Sequence, residues 1–144
     1  MIDIPEKFAF QLYELVDKHT FETRGVTAWS VLRQDAIYAL HGLRTFLDKP
    51  ITINTWFHGG NFQWSGYRSP MCTIGAAGSE HRKGNAFDCK VKDMTAEEVR
   101  KIVLENQDHE LLSKIQRIEA DVSWFHFDLG YVPQGRHRIY VFKG

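Results

Sequence analysis

The sequence predicts an α+β fold, a single compact domain in which an antiparallel sheet is flanked by helices, and three observations point to it. Apolar residues recur at helical spacing in the amino-terminal third and again after Thr95. They alternate at period two in "ITINTWF", and strand-forming runs close the chain in "VSWFHFDL" and "RIYVFK". Helices and strands are thus segregated along the chain rather than alternating as β-α-β units, which favours α+β. No repeat, low-complexity tract or linker divides the 144 residues, and 43% hydrophobic with 13% aromatic content is enough to bury one core without disulfides or a structural metal.

Taken in order, the segment after Pro5 places Phe8, Leu12, Leu15 and Val16 on one face of a first expected helix. A second, longer helix carries Leu32, Ala36, Leu40, Leu43 and Leu47 before "DKP" stops it. "ITINTWF" sets Ile51, Ile53, Thr55 and Phe57 on one side of a half-buried strand, and "HGGNFQWSGYRSP" follows as a glycine-rich turn region. Thr95 and Glu98 then form a capping box for a third helix burying Val99, Ile102 and Val103.

Eighteen basic residues balance eighteen acidic ones, so the chain lacks the charge excess on which non-specific nucleic-acid or membrane-surface binding depends. A small or extended substrate is the expected partner, with no nucleic acid and no membrane insertion, and a monomer is expected. "MIDIPEKFAF" has neither a basic start nor an apolar run, so synthesis in the cytoplasm without a secretion signal is expected. Cys72 and Cys89 form no CxxC pair and read as two reduced core thiols.

Seven histidines are candidates for chemistry. His19 and His41 sit on expected helices without a partner that makes a ligand pair, and His109 and His137 lie in polar, exposed segments. His81 and His126 differ. His81 faces Asp88 across "RKGNAF", where Gly84 and Ala86 permit a tight turn and close packing, and His126 lies on an expected strand that also carries Trp124 and Asp128 on the same face. Hydrolytic zinc takes three His or Asp/Glu ligands and leaves a fourth position for water. His81, Asp88 and His126 would supply such a set.

Ser79, His81, Gly84, Ala86 and Asp88 spell S-x-H-x-x-G-x-A-x-D; Gly66-Tyr67-Arg68-Ser69-Pro70 precedes this block and Trp124-x-His126-x-Asp128 follows it. The three blocks, in this order over about Trp64 to Tyr140, resemble the M15 family of zinc D,D-peptidases, relatives of the hedgehog signalling domain that cut peptidoglycan stem peptides. The resemblance implies the hedgehog/DD-peptidase fold, zinc held by His81, Asp88 and His126, and Arg68 as an electrostatic group for charge developing on the scissile carbonyl. Tyr67 and Ser79 are the implied substrate-binding positions, although a serine before a turn also caps local backbone. The short chain is similar in size to single-domain lytic enzymes of phages and prophages, which act at the cell wall after release or as virion components.

The family's general base, a carboxylate, lies three residues before the last histidine, and here that residue is Ser123. The nearest upstream acids are Asp121 and Glu119. Asp121 shares strand parity with Ser123 and is the expected base, Glu119 requiring a larger rearrangement; Asp128 acting from the other side is a further option. The alternative function is a zinc-containing module that has lost hydrolysis and binds cell-wall peptide or a protein partner.

Overall fold

Local capping signals set the helix boundaries. In the computed structural model, which describes residues 2–135 and 138–144, helix α1 (Lys18–Arg24) starts where the Asp17 side chain accepts from the Thr20 amide and ends at Gly25. Helix α2 (Gln34–Leu47) ends at Asp48, in the left-handed region ahead of Pro50, and buries Ala36, Ile37, Leu40 and Leu43. Helix α3 (Ala96–Glu105) opens on the Thr95/Glu98 capping box and buries Val99 and Val103, with Ile102 only half-buried.

The first expected helix is not formed. Residues 8–16 contain only a 3₁₀ turn, Leu12–Glu14, because their carbonyls are spent elsewhere. Glu14 O accepts from the Asn54 amide, Leu15 O from the Tyr67 amide, and Val16 O from the side chains of Asn54 and Trp56. The residues still point inward, Leu15 and Val16 being fully buried. This segment is thus the post to which the glycine-rich region is tied.

The sheet has five strands: β1 (Ile51–Thr52), β2 (Ala86–Val91), β3 (Arg117–Ala120), β4 (Phe125–Asp128) and β5 (Tyr140–Lys143), in the order β1-β2-β4-β3-β5. β1 is shorter than "ITINTWF" suggests: Ile51 and Ile53 are buried, but the chain leaves the sheet after Thr52 and Phe57 ends up in an exposed 3₁₀ turn stacked on Tyr13. Three pairings are antiparallel, as expected, whereas β3 and β5 run parallel. The reason lies before β5, where the Arg138 guanidinium donates to the carbonyls of Leu112, Ser113 and Ile115. That clamp ties the entry of β5 to the entry of β3, so the two strands leave in the same direction. His137 lies outside the described residues.

Alternation divides the sheet into two faces. Phe87 and Cys89 of β2, Ile118 of β3 and Phe125 and Phe127 of β4 join the helices in one continuous core. Full burial of a phenylalanine side chain is worth roughly 1.5–3 kcal/mol, so the three buried sheet phenylalanines strongly fix which residues face outward. Those residues are Asp88, Lys90, Arg117, Glu119, His126 and Asp128. Cys72 and Cys89 are both free and buried, as expected of core thiols.

Candidate metal centre

β2 and β4 pair with Asp88 directly opposite His126, so the register alone sets a carboxylate beside an imidazole on the outward face. His81 arrives from the 3₁₀ turn Glu80–Lys83, which Ser79 caps by accepting the His81 amide and which ends at Gly84. Gly84 has φ +70°, and a Cβ there would run into the Val31 carbonyl oxygen, so the reversal between the two blocks of ligands requires glycine. The Arg33 amide donates to the Gly84 carbonyl and fixes this turn to the start of α2.

The three side chains converge. His126 Nδ1 lies 2.8 Å from Asp88 Oδ1, and His81 Nε2 lies 3.2 Å from the same oxygen. One ligand atom from each of the three residues falls within 4.8 Å of the others, a grouping able to hold a metal ion. The remaining ring nitrogens are assigned by their partners. His81 Nδ1 lies 2.9 Å from the Gly66 carbonyl, to which it donates, leaving the Nε2 lone pair for a metal. His126 Nε2 donates to Asp128 Oδ2 at 2.7 Å, leaving Nδ1 as the ligand atom. Asp128 in turn accepts both N–H groups of the Arg117 fork, at 2.6 and 2.9 Å, and the Gly130 amide. Such a carboxylate–imidazole pair would orient and strengthen His126 as a ligand if a metal were bound. The donor set, two imidazoles and a carboxylate, suits a catalytic zinc with an open fourth position.

The electrostatics agree. Burial alone would push the Asp88 carboxyl up, but hydrogen bonds from His126 and His81 and their charges hold it far below its ordinary 3.8. Burial likewise pushes the His126 imidazole down, yet the Asp128 and Asp88 carboxylates outweigh it and raise its pKa from 6.5 to about 9. Asp128 is itself lowered to about 2, against the effect of burial, by hydrogen bonds from His126 and Arg117.

Two cavities meet at Asp88. One, of about 420 Å³, is lined by Ser79, Glu80, His81, Asp88, Glu119 and His126, among others. The other, of about 410 Å³, has walls of Phe62, Trp64 and Ile74 with Lys90 beside them. Arg68, Asp88 and Trp124 line both, so the two adjoin beside the candidate metal position. Arg68 donates from Nε to the Trp64 carbonyl at 2.8 Å and reaches Asp88 Oδ2 at 3.5 Å. Gly75, at φ +76°, passes against its guanidinium where any side chain would collide. Ser69, next in sequence, donates to the fully buried Asp17, locking the Gly-Tyr-Arg-Ser-Pro block to α1.

Sequence expectation and structure part at two residues. Tyr67 faces neither cavity; it packs against the core and lines a separate depression with Arg33 and Arg82, because its amide is pinned to Leu15 O and strand-like alternation turns Arg68 the opposite way. Asp121 also lies outside the cleft. It stands just after β3 with φ +62°, its side chain 71% exposed and paired with Lys143 at 3.3 Å. The kink that ends the strand breaks the parity on which the expectation rested. Ser123 lines the 410 Å³ cavity beside Arg68 and Asp88, so the site wall where the family carries its acid bears a hydroxyl here. Asp128 is unavailable as a base, both its oxygens being committed. Arg117 escaped the sequence reading, although the polar–apolar alternation of "RIEA" marks a strand that would present it with Glu119 on one face.

No curated protein and no solved structure matches the chain. The model of one family, Peptidase M15, matches residues 8–128, which takes in the Gly-Tyr-Arg-Ser-Pro block, all three candidate ligands and the Asp128 that orients the last of them. The chain therefore belongs to the M15 peptidase family.

Proposed function

We propose that the chain is a zinc-dependent peptidase that hydrolyses amide bonds in bacterial peptidoglycan stem peptides. The observation that carries this reading is the convergence of His81, Asp88 and His126, one ligand atom from each within 4.8 Å of the others, at a cleft in a chain of the M15 family. A bound zinc supplies a Lewis acid that polarises the scissile carbonyl and lowers the pKa of water. The chain's own residues do the rest. The aromatic wall of Phe62, Trp64 and Trp124 packs one part of an extended peptide, and Lys90, held 4.2 Å over the Phe62 ring, offers a cation to a substrate carboxylate. Arg68 places a guanidinium where negative charge develops on the carbonyl oxygen. Ser79 caps the ligand-bearing turn and also lines the cleft, so both of its expected roles are compatible.

Removal of a terminal D-amino acid and internal cleavage use the same zinc chemistry and differ in cleft shape. Among the described residues no helix is long and apolar enough to cross a membrane, and the proposed setting is that of a phage or prophage lytic enzyme acting as a monomer on the cell wall. One observation favours a second reading, a zinc-containing module without hydrolysis: Ser123 stands where the family carries its base. Digestion of purified peptidoglycan by the zinc-loaded and chelator-stripped protein, with mass spectrometry of released fragments, separates the two. Zinc-dependent release of peptide fragments is expected; binding to peptidoglycan without release would establish the second reading.

A further inference from the structure

We infer that Glu119, on the strand beyond His126, is the general base of this enzyme, replacing the carboxylate that the family places before its last histidine. The inference rests on the zinc-peptidase reading and adds to it the residue that moves the proton.

Four carboxylates line the cavity at the metal position: Glu80, Asp88, Glu119 and Asp128. Three are already engaged. Glu80 accepts from Lys83 Nζ and Asn85 Nδ2, both at 2.9 Å. Asp88 faces His81, His126 and Arg68, and Asp128 is held by Arg117, His126 and Gly130. The Glu119 side chain has no hydrogen bond or ion pair among the described residues, and its carboxylate lies beside Gly144, which lines the same cavity. A half-buried carboxylate facing a metal site without a partner is free to accept a proton.

The strands give its position. β3 and β4 pair Arg117 with Asp128 and Ile118 with Phe127; the pairing ends there, and Glu119 and His126 are the next residues along the two strands. Asp88 faces His126 from the other side. Asp88, His126 and Glu119 thus come from three neighbouring strands of the sheet and line one cavity. The family's acid approaches the site from the turn before β4; here that turn carries Ser123, and the acid comes instead from β3. Glu119 takes one proton from the attacking water as its oxygen bonds to the carbonyl carbon, and delivers that proton to the amide nitrogen as the C–N bond breaks. The products are a carboxylic acid and an amine, which exchange the remaining proton with solvent.

The test compares wild type with Glu119→Gln, Glu119→Asp and Asp121→Asn, each loaded with zinc or cobalt. Glu119→Gln is expected to hold one ion with near wild-type affinity and to turn over peptidoglycan a hundredfold to ten-thousandfold more slowly, with Glu119→Asp recovering part of the rate and Asp121→Asn staying within about threefold of wild type. A second readout needs no turnover: acetohydroxamate, whose hydroxyl proton a base accepts on binding, should bind the cobalt-loaded Glu119→Gln about tenfold or more weakly, as loss of a charge-assisted hydrogen bond requires. Wild-type rate or unchanged acetohydroxamate affinity in Glu119→Gln overturns the assignment alone, as does loss of the metal, which would make Glu119 a ligand. If the zinc-loaded wild type releases no fragment while binding peptidoglycan, the peptidase reading falls and the assignment falls with it.

Discussion

Metal binding at this centre should be driven by pH in a window where an ordinary histidine would contribute nothing. In the metal-free protein the two flanking carboxylates favour a proton on each His126 ring nitrogen, Nδ1 lying 2.8 Å from Asp88 and Nε2 2.7 Å from Asp128. The two carboxylates raise its pKa to about 9 from 6.5. The ligand atom is Nδ1, so an incoming ion must displace that proton. At pH 7 the displacement spans about two pH units, at about 1.4 kcal/mol each, and so weakens binding by about 3 kcal/mol, or roughly a hundredfold. Between pH 7 and 8.5 affinity should therefore rise about tenfold per pH unit, and calorimetry in two buffers of different ionisation enthalpy should count about one proton released per ion at pH 7. Asp128→Asn separates the contributions. It removes one of the carboxylates holding the proton, so the slope should flatten, while loss of ring orientation lowers affinity about tenfold to a hundredfold. A pH-independent affinity from 7 to 8.5 with no proton release would refute the reasoning, showing His126 to be already neutral with Nδ1 free.

The same groups set the stability of the metal-free protein: the His126 contribution is complete below pH 6.5 and lost as pH rises through about 9, while those of Asp128 and Asp88 are present above about 3.8 and lost as pH falls toward 2. Thermal unfolding across pH should thus show a maximum between these limits, with the alkaline loss abolished by saturating zinc. Arg68→Ala should retain one zinc by elemental analysis and lose about a hundredfold or more in turnover, since its guanidinium faces the cleft beside Asp88; an unaltered rate would make it a purely structural residue. Gly84→Ala should lower stability by about 2 kcal/mol or more in denaturant titration, from the positive φ and the collision with Val31. Arg100→Met removes donors to the Val122 and Trp124 carbonyls; it should cost about 1–3 kcal/mol of stability and slow turnover by loosening the turn that carries Ser123 and Trp124, whereas unchanged values for both would show that this clamp is dispensable.

Much of this centre was legible in the order of residues, because its parts are local. The ligand turn is read from Ser79, His81, Gly84 and Asp88 as a cap, a ligand, a left-handed residue and a ligand within one short segment, and the Thr95/Glu98 box marks α3 in the same way. Where contacts between distant segments decide, the reading fails. Residues 8–16 have a helical pattern of apolar side chains, yet loops 54–67 take up their carbonyls and the helix does not form. "ITINTWF" alternates, but only Ile51 and Thr52 find a partner strand.

By itself, then, the sequence determined the α+β class, the three candidate ligands with Arg68 beside them in the motif, and the absence of an acid at Ser123, since each depends on residue identity and short-range spacing. Only the tertiary structure decided which side chains share the cleft. Strand pairing, which periodicity does not specify, put Asp88 across from His126, and the sheet order brought Glu119 of the neighbouring strand into the same cavity; a single positive-φ residue at the end of β3 turned Asp121 out to Lys143; and the tie between the Tyr67 amide and Leu15 turned the tyrosine ring away from the site while aiming Arg68 into it. The physical reason is that a strand residue's direction is set by parity and register with its neighbours, and both are properties of the paired sheet rather than of any one segment.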